Sequence, residues 1–218
     1  MASVTHSLKR WIPSGWNILL VLIALAVLPF GLGSVEIGLS QQHERLFQPD
    51  DPVTATLGLA AHMVLGAIIT VLAPLQIIGP VRRRVPWLHR WAGYVIAGAA
   101  LVTACGGLIY IALSGTVGGP VMSVGFALYG LLLGLAAVRT VQLSRAGRMA
   151  QHRRWGLRLF LLAIGSYLYR LHYGLWYLAT GGYASSPAFD GAFDLYMTFG
   201  FYLPYLAALE LYFRWRGS

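Results

Sequence analysis

The chain has 218 residues, of which 57% are hydrophobic and only 11% are charged. A soluble domain is about half apolar and about a quarter charged, so this excess cannot be buried in one core and indicates a membrane protein. The formal net charge of +9 does not indicate nucleic acid binding, because the basic residues form short clusters between apolar runs, as membrane topology requires.

Six apolar runs are long enough to cross about 30 Å of hydrocarbon as helices, at about 1.5 Å per residue. Lys9 and Arg10 precede the first run, and no convincing cleavage site follows it, so we predict an uncleaved first helix. The second run begins after the helix-start signal Asp50-Asp51-Pro52. The six predicted spans cover residues 16–34, 53–78, 89–113, 121–142, 154–179 and 193–213 of a single domain, 1–218.

The distribution of lysine and arginine predicts the orientation, because positive residues are retained on the cytoplasmic side. Only Arg45 and Arg170 fall towards the outer side. An even number of spans with both termini inside satisfies this pattern, and we expect the protein in a bacterial cytoplasmic membrane. The other fourteen basic residues fall on the inner side: Lys9, Arg10, Arg82, Arg83, Arg84, Arg90, Arg139, Arg145, Arg148, Arg153, Arg154, Arg158, Arg214 and Arg216.

Two predicted hairpins share a short sequence pattern. The segment LHRWAG at 88–93 opens the third span, and the segment QHRRWG at 151–156 opens the fifth. Each follows a helix and a short basic loop, and short loops favour antiparallel neighbours. We therefore predict an all-α integral membrane protein with six transmembrane helices, in which helices two to five form a four-helix core and helices one and six lie outside it.

This combination of motifs resembles an uncharacterised bacterial family of predicted membrane proteins, domain of unknown function 2306. The resemblance runs from the second span into the sixth, and its most specific element is Pro-x-Leu-His-Arg-x-x-Gly. It implies a membrane protein but no established activity. The matching segments are AHMVLG at 61–66, PLQ at 74–76, RRRVPWLHRWAG at 82–93 and HRRW at 152–155, together with Arg170.

The architecture also resembles, more distantly, cytochrome b561-like and ferric-reductase-like bundles. Those proteins hold b-type haem between histidines of a four-helix core, so the resemblance implies haem b as a cofactor and electron transfer as an activity. Two features depart from it. The fourth span contains no histidine, and His152 and His172 are 20 positions apart, which places them about 200° apart around an ideal helix.

Two histidines fall at similar depths in the outer half of the predicted bundle. His62 and His172 lie about 13 Å and about 10 Å below the outer ends of their spans, by helix rise. Polar rings at this depth usually have a partner, so the pair predicts either a shared metal or haem iron, or separate hydrogen bonds. A glycine beside such a ring would leave room for a flat macrocycle. Helical periodicity places on the same faces Gly66 and Gln76 for His62, and Tyr169, Trp176 and Arg158 for His172.

Two further histidines, His89 and His152, fall at the predicted inner interface beside arginine and tryptophan. They are candidate ligands of a second haem, whose propionates Arg90, Arg153 or Arg154 would neutralise. The alternative is an interfacial anchor, since tryptophan belts and arginines that reach lipid phosphate need no cofactor.

Arg170 is the most unusual single residue, because a guanidinium in the outer half of a span needs a partner or water. Asp194 is the first expected counter-ion and Asp190 is the second. Glu210 and Arg158 fall at a similar depth on the sixth and fifth spans. We expect a buried pair there, which is either structural or part of a proton or substrate route.

The paired histidines favour a membrane b-type cytochrome-like protein that transfers electrons, as a component of a membrane oxidoreductase. The alternatives are a non-enzymatic module that binds or transports a lipid, quinone or small solute, and an assembly scaffold. Arg170, Glu210 and the five aromatic residues between 167 and 177 favour the binding module. The expected partners are the lipid bilayer and a quinone or redox partner, and no nucleic acid. Enzyme class and oligomeric state stay open.

Overall fold

The structure is a computed structural model, and it describes residues 15–216 apart from the side chain of Trp16. Lys9 and Arg10, which the sequence analysis assigns to the inner side, lie outside the described residues. Within the described range the chain is all-helical and has no strand. Its ten helices are α1 (Gly15–Ala26), α2 (Leu28–Ser40), α3 (Val53–Ile77), α4 (Gly79–Arg84), α5 (Pro86–Ser114), α6 (Gly119–Arg145), α7 (Met149–Ala163), α8 (Gly165–Thr180), α9 (Ala192–Gly200) and α10 (Leu203–Trp215).

Four helical segments of the described chain are long and apolar enough to cross a membrane. They are Asn17–Ser40, which α1 and α2 form together, and Val53–Ile77, Pro86–Ser114 and Gly119–Arg145. These segments correspond to the first four predicted spans, so the prediction of an all-α, multi-pass membrane protein is confirmed at this level. The fifth and sixth spans and the inner position of both termini stay predictions, because no segment of α7 to α10 is among these four.

Three helical segments, α1–α2, α7–α8 and α9–α10, are each interrupted once. Proline accounts for two of these three breaks. Pro29 and Pro204 lie in the first turn of α2 and of α10. Since proline has no backbone N–H, the turn before it loses a hydrogen bond and the helix kinks there.

The break between α7 and α8 at Ile164 has a different cause, because no proline lies near it. Hydroxyl groups from two other helices donate hydrogen bonds to carbonyls that would accept from backbone N–H groups if α7 and α8 were one continuous helix. Tyr129 of α6 donates a hydrogen bond to the Leu162 carbonyl, and Thr70 of α3 donates one to the Ala163 carbonyl at 2.9 Å. Side chains that insert into the backbone ladder in this way bend helices.

The main core lies between α3, α5, α6 and α7. Small residues allow close packing: a Cβ on Gly106 of α5 would lie 2.3 Å from the Gly58 carbonyl oxygen of α3, so no larger residue fits at this crossing. Met197, Phe201 and Tyr202 of the α9–α10 segment complete the core, and α1 and α2 pack against α3. The divided segments α7–α8 and α9–α10 therefore contact the candidate spans directly.

Candidate functional site

Tyr129 of α6 lies where the breaks of the two divided segments meet. Its hydroxyl donates to the Leu162 carbonyl, and its ring centroid is 5.0 Å from that of Phe201 and 5.4 Å from that of Tyr202. Gly165 at the start of α8 permits this approach, since a Cβ there would lie 2.9 Å from the Tyr129 hydroxyl oxygen. The sequence analysis missed Tyr129, although a tyrosine in the middle of an apolar run is a signal for such a buried hydrogen bond.

Arg170 of α8 contacts the first candidate span. Its Cζ is 4.8 Å from the ring centroid of Phe30, and its Nη1 donates to the Ser166 carbonyl at 3.3 Å. Phe30 lies in the middle part of the candidate span Asn17–Ser40. No sequence signal identified Phe30, because one phenylalanine in an apolar run is unremarkable.

No carboxylate among the described residues neutralises Arg170. All seven acidic side chains of the sequence belong to the described part of the chain, and there only Glu210 forms an ion pair, with Arg158. The direct contacts of Arg170 are the Phe30 ring and the Ser166 carbonyl, and the residue is exposed on the outside of the described bundle.

The prediction that Asp194 neutralises Arg170 is wrong for the described structure. Asp194 lies in the first turn of α9, and its fully buried carboxylate is satisfied by donors of the outer loop and of α8. Asp190, the second candidate, accepts a hydrogen bond from the Ser186 hydroxyl. The four donors to Asp194 are the hydroxyls of Tyr173 (2.7 Å) and Ser185 (2.7 Å) and the backbone N–H groups of Ser186 (2.8 Å) and Gly191 (3.1 Å).

The ring of His62 packs against α5. Its Nδ1–H donates to the Thr103 carbonyl at 2.8 Å, and a Cβ on Gly107 would lie 2.7 Å from that nitrogen. A Cβ on Gly66 would lie 3.5 Å from Thr103 Cγ2, so Thr103 already occupies the side of the helix where the sequence analysis expected room for a macrocycle. His62 is thus held by a neighbouring span.

His172 has protein partners at both ring nitrogens. Its Nδ1–H donates to the Leu168 carbonyl at 2.6 Å, and its Nε2 accepts a hydrogen bond from the Tyr205 hydroxyl at 2.8 Å. No ring nitrogen of His172 is left for a metal, so a haem shared with His62 does not fit this arrangement. The described residues also contain no group of three or more His, Cys, Asp or Glu side chains that could hold a metal ion.

At the other end of the bundle, His89 and His152 lie near enough to interact electrostatically. The Nδ1–H of His152 donates to the Thr140 carbonyl at 2.9 Å, whereas Nδ1 of His89 is buried without a hydrogen-bond partner in the described structure. Arg90 and Arg153 are exposed. His89 thus has a buried ring nitrogen without a protein partner in the described structure, whereas both ring nitrogens of His172 have one.

Arg158 and Glu210 form a bidentate ion pair between α7 and α10. The distances are 2.6 Å from Nε to Oε1 and 2.8 Å from Nη2 to Oε2. Two aromatic rings contact the arginine of this pair: Arg158 Cζ is 4.7 Å from the ring centroid of Trp155 and 5.1 Å from that of Phe213. This is the paired charge expected from the matched depths of the two residues.

The remaining candidate residues serve packing. Tyr169 packs edge-on against Phe126, with ring centroids 5.5 Å apart. Trp176 stacks on Phe193 at 4.6 Å, and Gln76 lies beside the first turns of α5. Two shallow grooves of about 300 and 450 Å³ open on the outside of the described bundle, between α5 and α6 and between α3 and α5. Neither groove is lined by arginine or histidine.

Residues 59–207 match a protein family described as predicted membrane protein (DUF2306). The match covers more than half of the chain and includes all the candidate residues except Glu210. No curated protein and no solved structure matches the chain significantly.

Proposed function

The chain belongs to the DUF2306 family of predicted membrane proteins, and on that premise we propose that it is a non-enzymatic membrane module that binds a lipophilic organic anion. Arg170 receives the anionic group between α2 and α8. The observation that supports this proposal most is that Arg170 has no carboxylate partner among the described residues and contacts Phe30, in the middle of the candidate span Asn17–Ser40.

An arginine at this level needs compensation. A guanidinium stays protonated in proteins, and placing one at the centre of a membrane helix costs about 2.5–3.5 kcal/mol on insertion scales. The ring of Phe30 offsets about 0.5–2 kcal/mol through the cation–π interaction. The Ser166 carbonyl accepts one hydrogen bond, yet a guanidinium has five N–H donors. The protein itself therefore leaves both charge and donors of Arg170 incompletely satisfied.

A carboxylate is the group that matches these needs best. Its two oxygens meet the planar fork of a guanidinium in a bidentate geometry, and its charge cancels that of the arginine. A quinone carbonyl would accept hydrogen bonds but would leave the charge uncompensated. Phe30 and Tyr167 pack against each other beside Arg170, with ring centroids 5.9 Å apart, and they present an apolar wall to the rest of such a ligand.

The divided helices support a binding function as well. Helices that are interrupted at membrane depth are typical of substrate sites in transporters, where irregular backbone faces a ligand or a buried side chain. Here both interruptions meet at Tyr129, which interacts electrostatically with Arg170. The proposed site thus combines a charged side chain with interrupted helices, as substrate sites in transporters do.

The test measures binding of radiolabelled oleate to the protein in phosphatidylcholine nanodiscs, with empty nanodiscs as background. Oleyl alcohol, which has the same chain without the charge, serves as the neutral competitor. We expect oleate to bind at least about tenfold more tightly than oleyl alcohol, which corresponds to about 1.4 kcal/mol. Arg170→Gln should remove that preference.

Arg45→Gln is the matched control, because Arg45 is also an outer arginine and donates only to the Pro187 carbonyl on the exposed surface. It should bind oleate as the unchanged protein does. Circular dichroism and size-exclusion chromatography show that each variant is folded. Equal oleate binding by folded Arg170→Gln and by the unchanged protein would overturn the proposal.

The alternative is the redox function, and the inner pair His89 and His152 is the observation that favours it. The two rings lie near each other, and Nδ1 of His89 is buried without a partner in the described structure. A haem there would supply one-electron chemistry, and the nearby arginines would neutralise its propionates. A reduced-minus-oxidised visible spectrum of protein from haem-replete cells tests this. A colourless preparation excludes it.

A further inference from the structure

A second arginine without an acid partner lies at the opposite, basic end of the bundle. Arg154 is in α7, one turn before Arg158, and both Cζ atoms lie over the ring of Phe213, at 4.8 Å and 5.1 Å from its centroid. We refer to Arg154, Arg158, Glu210 and Phe213 as the Phe213 cluster. Glu210 binds Arg158 through both of its oxygens, so it is already used.

The Nε of Arg154 is buried and has no hydrogen-bond partner in the described structure. A ring face attracts a cation, but it offers no oxygen to the N–H groups of the guanidinium. A buried charged donor without an acceptor is unfavourable, and arginine cannot relieve this by losing its proton. Arg154 is therefore a candidate to donate to an acceptor oxygen from outside the chain.

The chain does not provide a second carboxylate here. The other six acidic side chains lie at the opposite ends of the helices, in or beside the 41–52 and 181–191 loops: Glu36, Glu44, Asp50, Asp51, Asp190 and Asp194. Arg153, Arg214 and Arg216 add positive charge near the Phe213 cluster. The complementary partner is an anion from outside the chain.

We propose that the Phe213 cluster binds the phosphate of an anionic phospholipid, with Arg154 as its main donor. The level is that of a lipid headgroup, because α7 follows directly after the end of the candidate span Gly119–Arg145. Leu211 and Trp215 of α10 are 64% and 80% exposed, and they offer apolar surface to acyl chains on the face of α10 that points away from Phe213. A free phosphate would use the arginine but not these side chains.

Many arginines lie at the basic end of the bundle, which we call the basic rim, and the proposed site depends on one of them, Arg154. Non-specific attraction to lipid phosphate would distribute binding over all the rim arginines, most of which are exposed. The Phe213 cluster instead predicts that loss of Arg154 has a larger effect than loss of Arg153, its exposed neighbour in the sequence. Both substitutions remove one charge, so they form a matched pair.

The experiment titrates the delipidated, detergent-solubilised protein with phosphatidylglycerol and follows the lipid-bound fraction by native mass spectrometry. We expect Arg154→Gln to weaken binding about tenfold or more, and Arg153→Gln to change it less than about threefold. Arg154→Lys keeps the charge but lacks the buried Nε, and we expect an intermediate loss. This variant keeps the test decisive if Arg154→Gln does not fold.

Three outcomes would overturn the proposal. Equal losses for Arg154→Gln and Arg153→Gln would show general attraction to the basic rim. Unchanged binding by Arg154→Lys and Arg154→Gln would show that this arginine is not a ligand. Displacement of the lipid by an equimolar amount of inorganic phosphate would show a site for soluble phosphate. The result is independent of oleate binding at Arg170, which lies at the opposite side of the α7–α8 break.

Discussion

Arg158 and Arg170 belong to consecutive helices of one hairpin arm, yet their surroundings differ. Arg158 of α7 is held by both oxygens of Glu210 at 2.6 and 2.8 Å. Arg170 of α8 contacts the Phe30 ring and one backbone carbonyl. Both contact aromatic rings, but the Arg158 side chain is only 17% exposed whereas Arg170 is an exposed residue, and only Arg158 has an acid partner.

This difference separates a structural charge from a charge that is available to a ligand. A neutralised guanidinium gains little from an additional anion, and its main contribution is to hold α7 and α10 together. An arginine without an acid partner contributes little to the fold but attracts any anion that reaches it. The two residues should therefore respond in opposite ways when stability and ligand binding are measured.

The largest effect on stability is expected at the paired arginine. Glu210→Gln leaves Arg158 without its counter-charge, and we expect the free energy of unfolding to fall by about 2 kcal/mol. The loss stays below the value for a fully buried pair because the Glu210 side chain is 40% exposed. Unfolding in mixed micelles of sodium dodecyl sulphate measures it. Glu44→Gln in the outer loop is the control, and an equal change in both variants would refute the structural role.

A smaller loss is expected at the junction of the two breaks. Tyr129→Phe leaves the buried Leu162 carbonyl without its donor, and we expect a loss of about 1–2 kcal/mol in the same assay. Tyr196→Phe removes a hydroxyl from a side chain that is 65% exposed and should change stability by less than about 0.5 kcal/mol. If the two variants were equally stable, the α7–α8 break would not depend on Tyr129.

The smallest effect on stability is expected at the unpaired arginine. Arg170→Gln breaks no ion pair, so the free energy of unfolding without ligand should change by less than about 0.5 kcal/mol. Oleate at ten times its dissociation constant should stabilise the unchanged protein by about 1.4 kcal/mol and should not stabilise the variant. A loss as large as that of Glu210→Gln would mean that Arg170 is structural, and the contrast between the two arginines would disappear.

Local sequence predicted the spans well where hydrocarbon alone sets the requirement. The second span was expected at 53–78 and is found at Val53–Ile77, and the fourth was expected at 121–142 and is found within Gly119–Arg145. The first extends to Ser40 rather than to 34. Hydrophobic length is a property of consecutive residues, so it can be read without knowing any neighbour. Pro204 likewise indicates the break between α9 and α10 from the sequence alone.

The break at Ile164 could not be read in the same way. The pair Gly165-Ser166 is a weak local signal, but the hydroxyls that bind its carbonyls come from Thr70 and Tyr129, which are distant in the sequence. His172 was expected to face His62, and Tyr205 of α10 binds it instead. Depth is predictable from helix rise, whereas the direction of a side chain depends on which helices pack around it.

Composition and the positions of apolar and basic residues by themselves determined that this chain is an all-α membrane protein, because lipid imposes the same demand on every span. They also identified Arg170 and Arg158 as charges that need partners. Tertiary structure alone decided that Asp194 is held by donors of the outer loop and of α8 rather than by Arg170, because the partner of a carboxylate depends on distances between helices that no local pattern records.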